Sequence, residues 1–158
     1  MQNLKDIPCL ILGIGNILWA DEGFGVRVVE AFNDKYAFTD PNNVIADGGT
    51  LGMYLYDRIC RAEKLLIFDC CDFKGKPGEL RVLRNDDVKL WTSTKISPHQ
   101  TGMNDLLVAA AVRGAVPKEI AVVGFQPILL DDYGGSLSPE AKANIDEAVR
   151  DGYEIVRG

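Results

Sequence analysis

Apolar positions along the chain come in two forms, short unbroken stretches and stripes that recur at spacings of three and four. Residues 8–14 (Pro-Cys-Leu-Ile-Leu-Gly-Ile) contain nothing polar, the pattern of a strand buried on both faces of a parallel sheet. Gly13 and Gly15 then turn the chain. From Glu22 onward Val26, Val29, Phe32 and Tyr36 recur at helical spacing, which predicts a helix with one buried face. Pro41, Asn42 and Asn43 end that connection. Val44-Ile45-Ala46 reads as a short strand leading into Asp47-Gly48-Gly49-Thr50. Thr50 is placed to cap a helix that carries Leu51, Leu55 and Ile59 on one stripe. The apolar run from Leu65 to Phe68 predicts a third strand, closed by Asp69. The loop of residues 72–78 is too short for the roughly dozen residues of a parallel crossover, so residues 79–84 are expected to return antiparallel.

Residues 85–96 show no clear period and are expected to form a short turn or loop. Ser97-Pro98-His99-Gln100 has the form of a capping box with proline at the first helical position, and Thr101 is an alternative cap. Met103, Leu106, Leu107, Ala110 and Ala111 follow at helix spacing until Gly114. Ile120 to Phe125 reads as the last strand. Ser138-Pro139 starts a final helix with Ala141, Ile145, Ala148 and Val149 inward. With no repeat, low-complexity tract or interior linker, residues 1–158 read as one domain. Its expected fold is α/β: a three-layer α/β/α sandwich on a mixed, mostly parallel five-stranded twisted sheet with one strand antiparallel.

Composition narrows the function. A chain of 158 residues buries roughly two-thirds of its unfolded surface, so any metal it binds is expected to serve chemistry rather than stability. The 23 acids and 17 bases give a net charge of −6 with no basic cluster, which argues against nucleic acid or an anionic membrane as partner. Cys9, Cys60, Cys70 and Cys71 contain no Cys-x-x-Cys pair and are expected as buried free thiols in a reducing cytosol. The N-terminal residues have no apolar signal core, and no later run approaches the ~20 residues needed to span a bilayer. A soluble, cytoplasmic monomer is the expectation.

Candidate chemistry lies at the ends of the strands, where open α/β sheets bind ligands. Glu22 follows the first glycine turn, although an acid in a helix's first turn is also explained by the helix dipole alone. Asp69 closes an apolar strand, where a carboxylate is costly to bury unless paired, hydrogen-bonded or bound to a cation. His99 is the only histidine. A lone histidine also fits a surface or cap role, but the positive end of a helix dipole favours the neutral ring that binds metal. Two carboxylates and an imidazole form an O/O/N donor set suited to nickel or zinc. Asp47 also ends a strand, where Asp-Gly is equally ordinary turn chemistry. Asp21, Asp72, Asp131 and Asp132 read as solvated or capping groups. Trp19, Tyr54, Tyr56 and Phe125 have core packing as their default, with a groove lining as the alternative. Gly13-x-Gly15 alone would suggest a dinucleotide fold, but the third glycine position of that fingerprint is Leu18, and Asp21 and Glu22 stand where phosphate would need bare N–H groups.

Four blocks, Gly13-Ile-Gly-Asn-Ile-Leu-Trp-Ala-Asp-Glu22-Gly-Phe-Gly25, Asp47-Gly-Gly-Thr50, Ile67-Phe-Asp69 and Ser97-Pro-His99-Gln100, make the chain resemble the [NiFe]-hydrogenase maturation endopeptidases. The resemblance implies an endopeptidase that removes the C-terminal extension of the hydrogenase large-subunit precursor after nickel insertion. The family's metal-binding positions match Glu22, Asp69 and His99. Nickel would arrive with the precursor, and zinc or cadmium would be able to occupy the same site. Asp47 is then a candidate proton acceptor or substrate contact. Two other classes stay open: a non-catalytic nickel chaperone using the same ligands on the same precursor, and a small nucleotide-binding module.

Overall fold

The computed structural model describes residues 5–37, 40–48, 53–88, 98–130, 132–134 and 136–158, with residues 53–54 and 98–101 described by backbone alone. Five strands, β1 (Ile7–Gly13), β2 (Val44–Asp47), β3 (Ala62–Cys70), β4 (Leu80–Arg84) and β5 (Glu119–Phe125), form one sheet in the order β2-β1-β3-β5-β4. β1, β2, β3 and β5 pair in parallel, and β4 runs antiparallel to β5. The helices are α1 (Phe24–Tyr36), α2 (Met53–Arg61), α3 (Pro98–Val112), α4 (Pro139–Ala143) and α5 (Ile145–Arg157).

Alternation along the strands sends side chains to two separate cores. Leu10, Leu12, Leu65, Ile67 and Val122 pack with Leu55 and Ile59 of α2 and Met103, Leu107 and Ala110 of α3. On the opposite face Ile11, Leu66, Phe68 and Val123 pack with Phe24, Val28 and Phe32 of α1 and Ala148, Val149 and Ile155 of α5. Both faces of β1 and β3 are covered by helices, which is why those strands carry no polar alternation. Phe125 belongs to the second core, its ring stacked 4.7 Å from that of Phe24, so it lines no groove. Among the described residues no helix is long and apolar enough to cross a membrane.

The structure departs from the sequence expectation in two places and adds the neighbour of β4, which that expectation left open. Asp21 and Glu22 lie in a 3-10 turn, Ala20–Gly23, and α1 begins only at Phe24. The final helix is two helices, broken at Asn144, whose Nδ2 donates to the Glu140 carbonyl at 2.8 Å. β4 is antiparallel as expected, yet β5 sits between it and β3. Gln126 makes that detour possible. Its Oε1 accepts from the backbone N–H of Phe73 and Gly75, each at 3.1 Å, and its Nε2 donates to Asp72 Oδ1 at 3.1 Å. The loop is thereby held across the end of β5. Asp72 also accepts from the Lys74 N–H at 2.9 Å, and that bond, with the Gln126 amide, holds its carboxyl below the usual carboxylate range. Thr50, Leu51 and residues 89–97, Ser97 of the capping box among them, lie outside the described residues. Proline does open α3, and Ser138 caps α4, accepting from the Ala141 N–H at 3.2 Å.

Cys9, Cys60, Cys70 and Cys71 are free and buried, as expected. Burial pushes the Cys9 thiol from an ordinary 9.0 up to about 12. Between those two values the unfolded chain has lost a proton that the folded chain keeps, so the unfolded state binds fewer protons and stability falls as pH rises. The slope from this one thiol is at most ~1.4 kcal/mol per pH unit. Denaturant midpoints measured across that alkaline window are expected to fall less steeply for Cys9→Ala than for the wild-type chain.

Candidate active site

The carboxyl edge of the parallel strands collects most of the candidate residues. Gly13 at the end of β1 is level with Asp47 of β2 on one side and Phe68 of β3 on the other. Asp47 and Asp69 therefore flank the point where β1 leaves the sheet. Strand order also reverses here, since β1 connects to β2 on one side and β3 lies on the other, the crevice in which such sheets hold ligands. Asp47 is exposed, and the next N–H, of Gly48, donates to the Gly13 carbonyl at 2.7 Å. Asp69 is 2% exposed. By alternation with Ile67 it faces the layer of α2 and α3.

Glu22 returns to this edge through the 3-10 turn. After β1, the Ile14 N–H donates to the Phe68 carbonyl at 2.9 Å, and the Asn16 N–H reaches back to the Glu22 carbonyl at 3.2 Å. Gly15, at φ +143, lies so close that a Cβ there would overlap the Glu22 carbonyl oxygen. A Cβ on Gly25 would overlap the carbonyl oxygens of Phe68 and Ile14. These glycines bring the start of α1 down onto the ends of β1 and β3. Glu22 is half-buried beside the end of β3. The Cys70 thiol reports the local field: burial pushes it up first, followed by the charges of Asp69, Cys71, Asp21 and Glu22.

Position 99 is delivered by the direction of α3. The Lys118 N–H donates to the Glu63 carbonyl at 2.9 Å, and Lys5 Nζ bridges the carbonyls of Ala62 at 3.1 Å and Ala115 at 2.8 Å. The chain leaving α3 is thus tied to the start of β3. Fifteen residues of helix rise roughly 22 Å, so α3 runs antiparallel to β3 and its first turn heads for the carboxyl edge. His99 lies one turn before Met103, which is buried in the core beside Ile67. The imidazole of His99 lies outside the described residues. Among the described residues no group of three His, Cys, Asp or Glu side chains is arranged to hold a metal ion.

Two expectations need correction. Asp21 is neither solvated nor a helix cap: it is fully buried. Its Oδ2 accepts from the N–H of Ile128 and of Leu129 and from Ser138 Oγ, each at 3.0 Å, and its Oδ1 accepts from the Ser138 N–H at 2.7 Å. Trp19 is a partly exposed surface ring, edge-on to Tyr133 at 4.9 Å. Tyr56 is half-buried and packs against the first core, Asp132 is exposed as expected, and Asp131 and the Tyr54 side chain lie outside the described residues.

Comparison with known proteins places the whole chain. The profile of the hydrogenase maturation protease family, HycI, matches residues 26–155. The chain is similar to the hydrogenase expression/formation protein HoxM of Azotobacter vinelandii, 46% identical over 148 residues, which cover 93% of this chain and 71% of that protein. It is similar to the hydrogenase 2 maturation protease of Escherichia coli, 40% identical over 141 residues, 89% of this chain and 85% of that one. Among solved structures, the E. coli hydrogenase maturating endopeptidase HybD superposes with a TM-score of 0.87 at 37% identity, covering 95% of this chain and 92% of that one. The family profile, the relatives and the shared fold agree, and the chain belongs to the hydrogenase maturation protease family.

Proposed function

We propose that this peptidase removes the C-terminal extension from the nickel-loaded large-subunit precursor of a [NiFe]-hydrogenase, with Glu22, Asp69 and His99 completing the coordination of the nickel that the precursor brings. The observation that carries the reading is Asp69, a buried carboxylate closing an apolar strand at the edge where the 3-10 turn of Glu22 arrives and toward which α3 points. A carboxylate buried at that edge attracts a cation. Two carboxylate oxygens and an imidazole nitrogen suit a borderline divalent ion and leave positions for ligands from the precursor. Zinc or cadmium would fit the same donors.

Nickel held there supplies Lewis-acid polarisation of the scissile carbonyl or activation of water. The chain's own residues supply geometry and proton handling. Asp69, screened from water, attracts the cation more strongly than an exposed carboxylate does. Glu22 lies half-buried within reach of an incoming substrate. His99 occupies the first turn of α3, from which its imidazole would supply the nitrogen donor. Asp47, exposed on the same edge, takes the proton of the attacking water or contacts the precursor's backbone. Four buried thiols fit a reducing cytoplasm as the place of reaction.

The test is product release. Incubated with nickel-loaded precursor, the protein is expected to liberate a short C-terminal peptide, and to leave nickel-free precursor intact, as mass spectrometry would show. Equal cleavage of both forms would refute metal reading. Release of no peptide from the loaded form would instead favour a non-catalytic chaperone.

A further inference from the structure

We propose that Asp21 is the positioning residue for Glu22: its buried carboxylate fastens the 3-10 turn to the chain at Ile128, Leu129 and Ser138 and so fixes where the neighbouring glutamate reaches the carboxyl edge. The inference rests on reading Glu22 as a contact of the precursor's metal. Asp21 collects four donors, three of them backbone N–H groups and the fourth the hydroxyl of Ser138. Its own N–H donates to the Leu129 carbonyl at 2.9 Å. These partners lie 107 to 117 residues away in the chain. A full set of acceptor bonds at a buried carboxylate leaves the turn one orientation.

A second observation points the same way. Ala20, next to Asp21, is held at φ +45 although it is not glycine, and it is buried. A backbone in that region persists only where the surroundings over-determine it, and such residues cluster at functional sites. The same two segments are joined again by the Gly134 N–H to the Leu18 carbonyl at 2.7 Å and by the Trp19–Tyr133 bridge. A 3-10 turn of four residues has little rigidity of its own. Fastened on one side through Asp21 and packed on the other through Gly25, it holds Glu22 between two fixed points.

Asp21→Asn tests the assignment, because the amide sets an N–H₂ group against at least one of the N–H donors while keeping the side chain's size. With nickel-loaded precursor, kcat is expected to fall about tenfold to a hundredfold with KM unchanged. Relaxation dispersion is expected to show microsecond-to-millisecond exchange confined to the amides of residues 20–24 and to the partner segment, a signature that uniform destabilisation does not give. A folded Asp21→Asn protein with wild-type kcat would overturn the proposal. Should that variant fail to fold, Ser138→Ala decides: a lowered kcat restored by Ser138→Thr supports the fastening role, and an unchanged kcat overturns it. Glu22→Gln in the same assay separates the two layers. If that variant cleaves at the wild-type rate, the reading of Glu22 fails and the inference with it. If it is inactive while Asp21→Asn is fully active, only the inference fails.

Discussion

Asp69→Asn is expected to lower kcat/KM for nickel-loaded precursor by about 10³-fold while the thermal midpoint stays close to the wild-type value. The substitution is nearly isosteric and keeps one acceptor oxygen, so the packing around the end of β3 is preserved. What it removes is the negative charge, and charge is what draws a cation to this edge. A purely structural aspartate predicts the opposite division of effects. Breaking a buried polar arrangement costs about 1–3 kcal/mol of stability, and activity would then fall only with the folded fraction. Measuring kcat/KM and the thermal midpoint on the same preparation separates the two cases. Stability retained with activity lost assigns Asp69 to the chemistry.

The second large effect concerns the backbone. Gly25→Ala would drive a Cβ into the carbonyl oxygens of both Phe68, which lies within β3, and Ile14, which directly follows β1 and is tied to Phe68 by its N–H. The first turn of α1 must lift off the sheet, at a cost of about 3 kcal/mol or more. For a domain of this size that corresponds to a fall in the thermal midpoint of roughly 6–12 °C. Gly134→Ala is the matched control. Its φ is +77, so an alanine is strained there, but nothing lies within 4 Å of the added Cβ. Its expected loss is about 1 kcal/mol, and calorimetry of the two variants should differ accordingly. Similar midpoints would mean that α1 does not depend on this close approach.

How much of this was legible in the sequence follows from where each residue's partners lie. β1 and β3 declared themselves because a strand covered by helices on both faces tolerates nothing polar, and the same rule made Asp69 conspicuous. The helix with Met103 and Ala110 on one stripe, the proline that opens it and the cap at Ser138 were readable because capping and periodicity are local. The seat of β4 was not, since it depends on Gln126 binding Phe73 and Gly75 some fifty residues earlier. The break at Asn144 was hidden because the apolar spacing runs on through it. Asp21 looked like one more surface acid beside Glu22, for its partners at Ile128, Leu129 and Ser138 are brought to it only by the folded sheet. Glu22 and His99 stood out by chemistry and by the blocks that surround them, and the sheet direction explains why residues so far apart in the chain head for one edge.

On the proposed function, Glu22, Asp69 and His99 share one metal ion. Crystals of the protein soaked in nickel or cadmium and measured at an anomalous edge test it directly. A single dominant peak bound by Glu22, Asp69 and His99, at ~2.0–2.2 Å in the nickel soak, the range of first-row metal bonds to oxygen and nitrogen, is the predicted result. A peak elsewhere on the molecule, or a His99 ring turned away from both carboxylates, would contradict it.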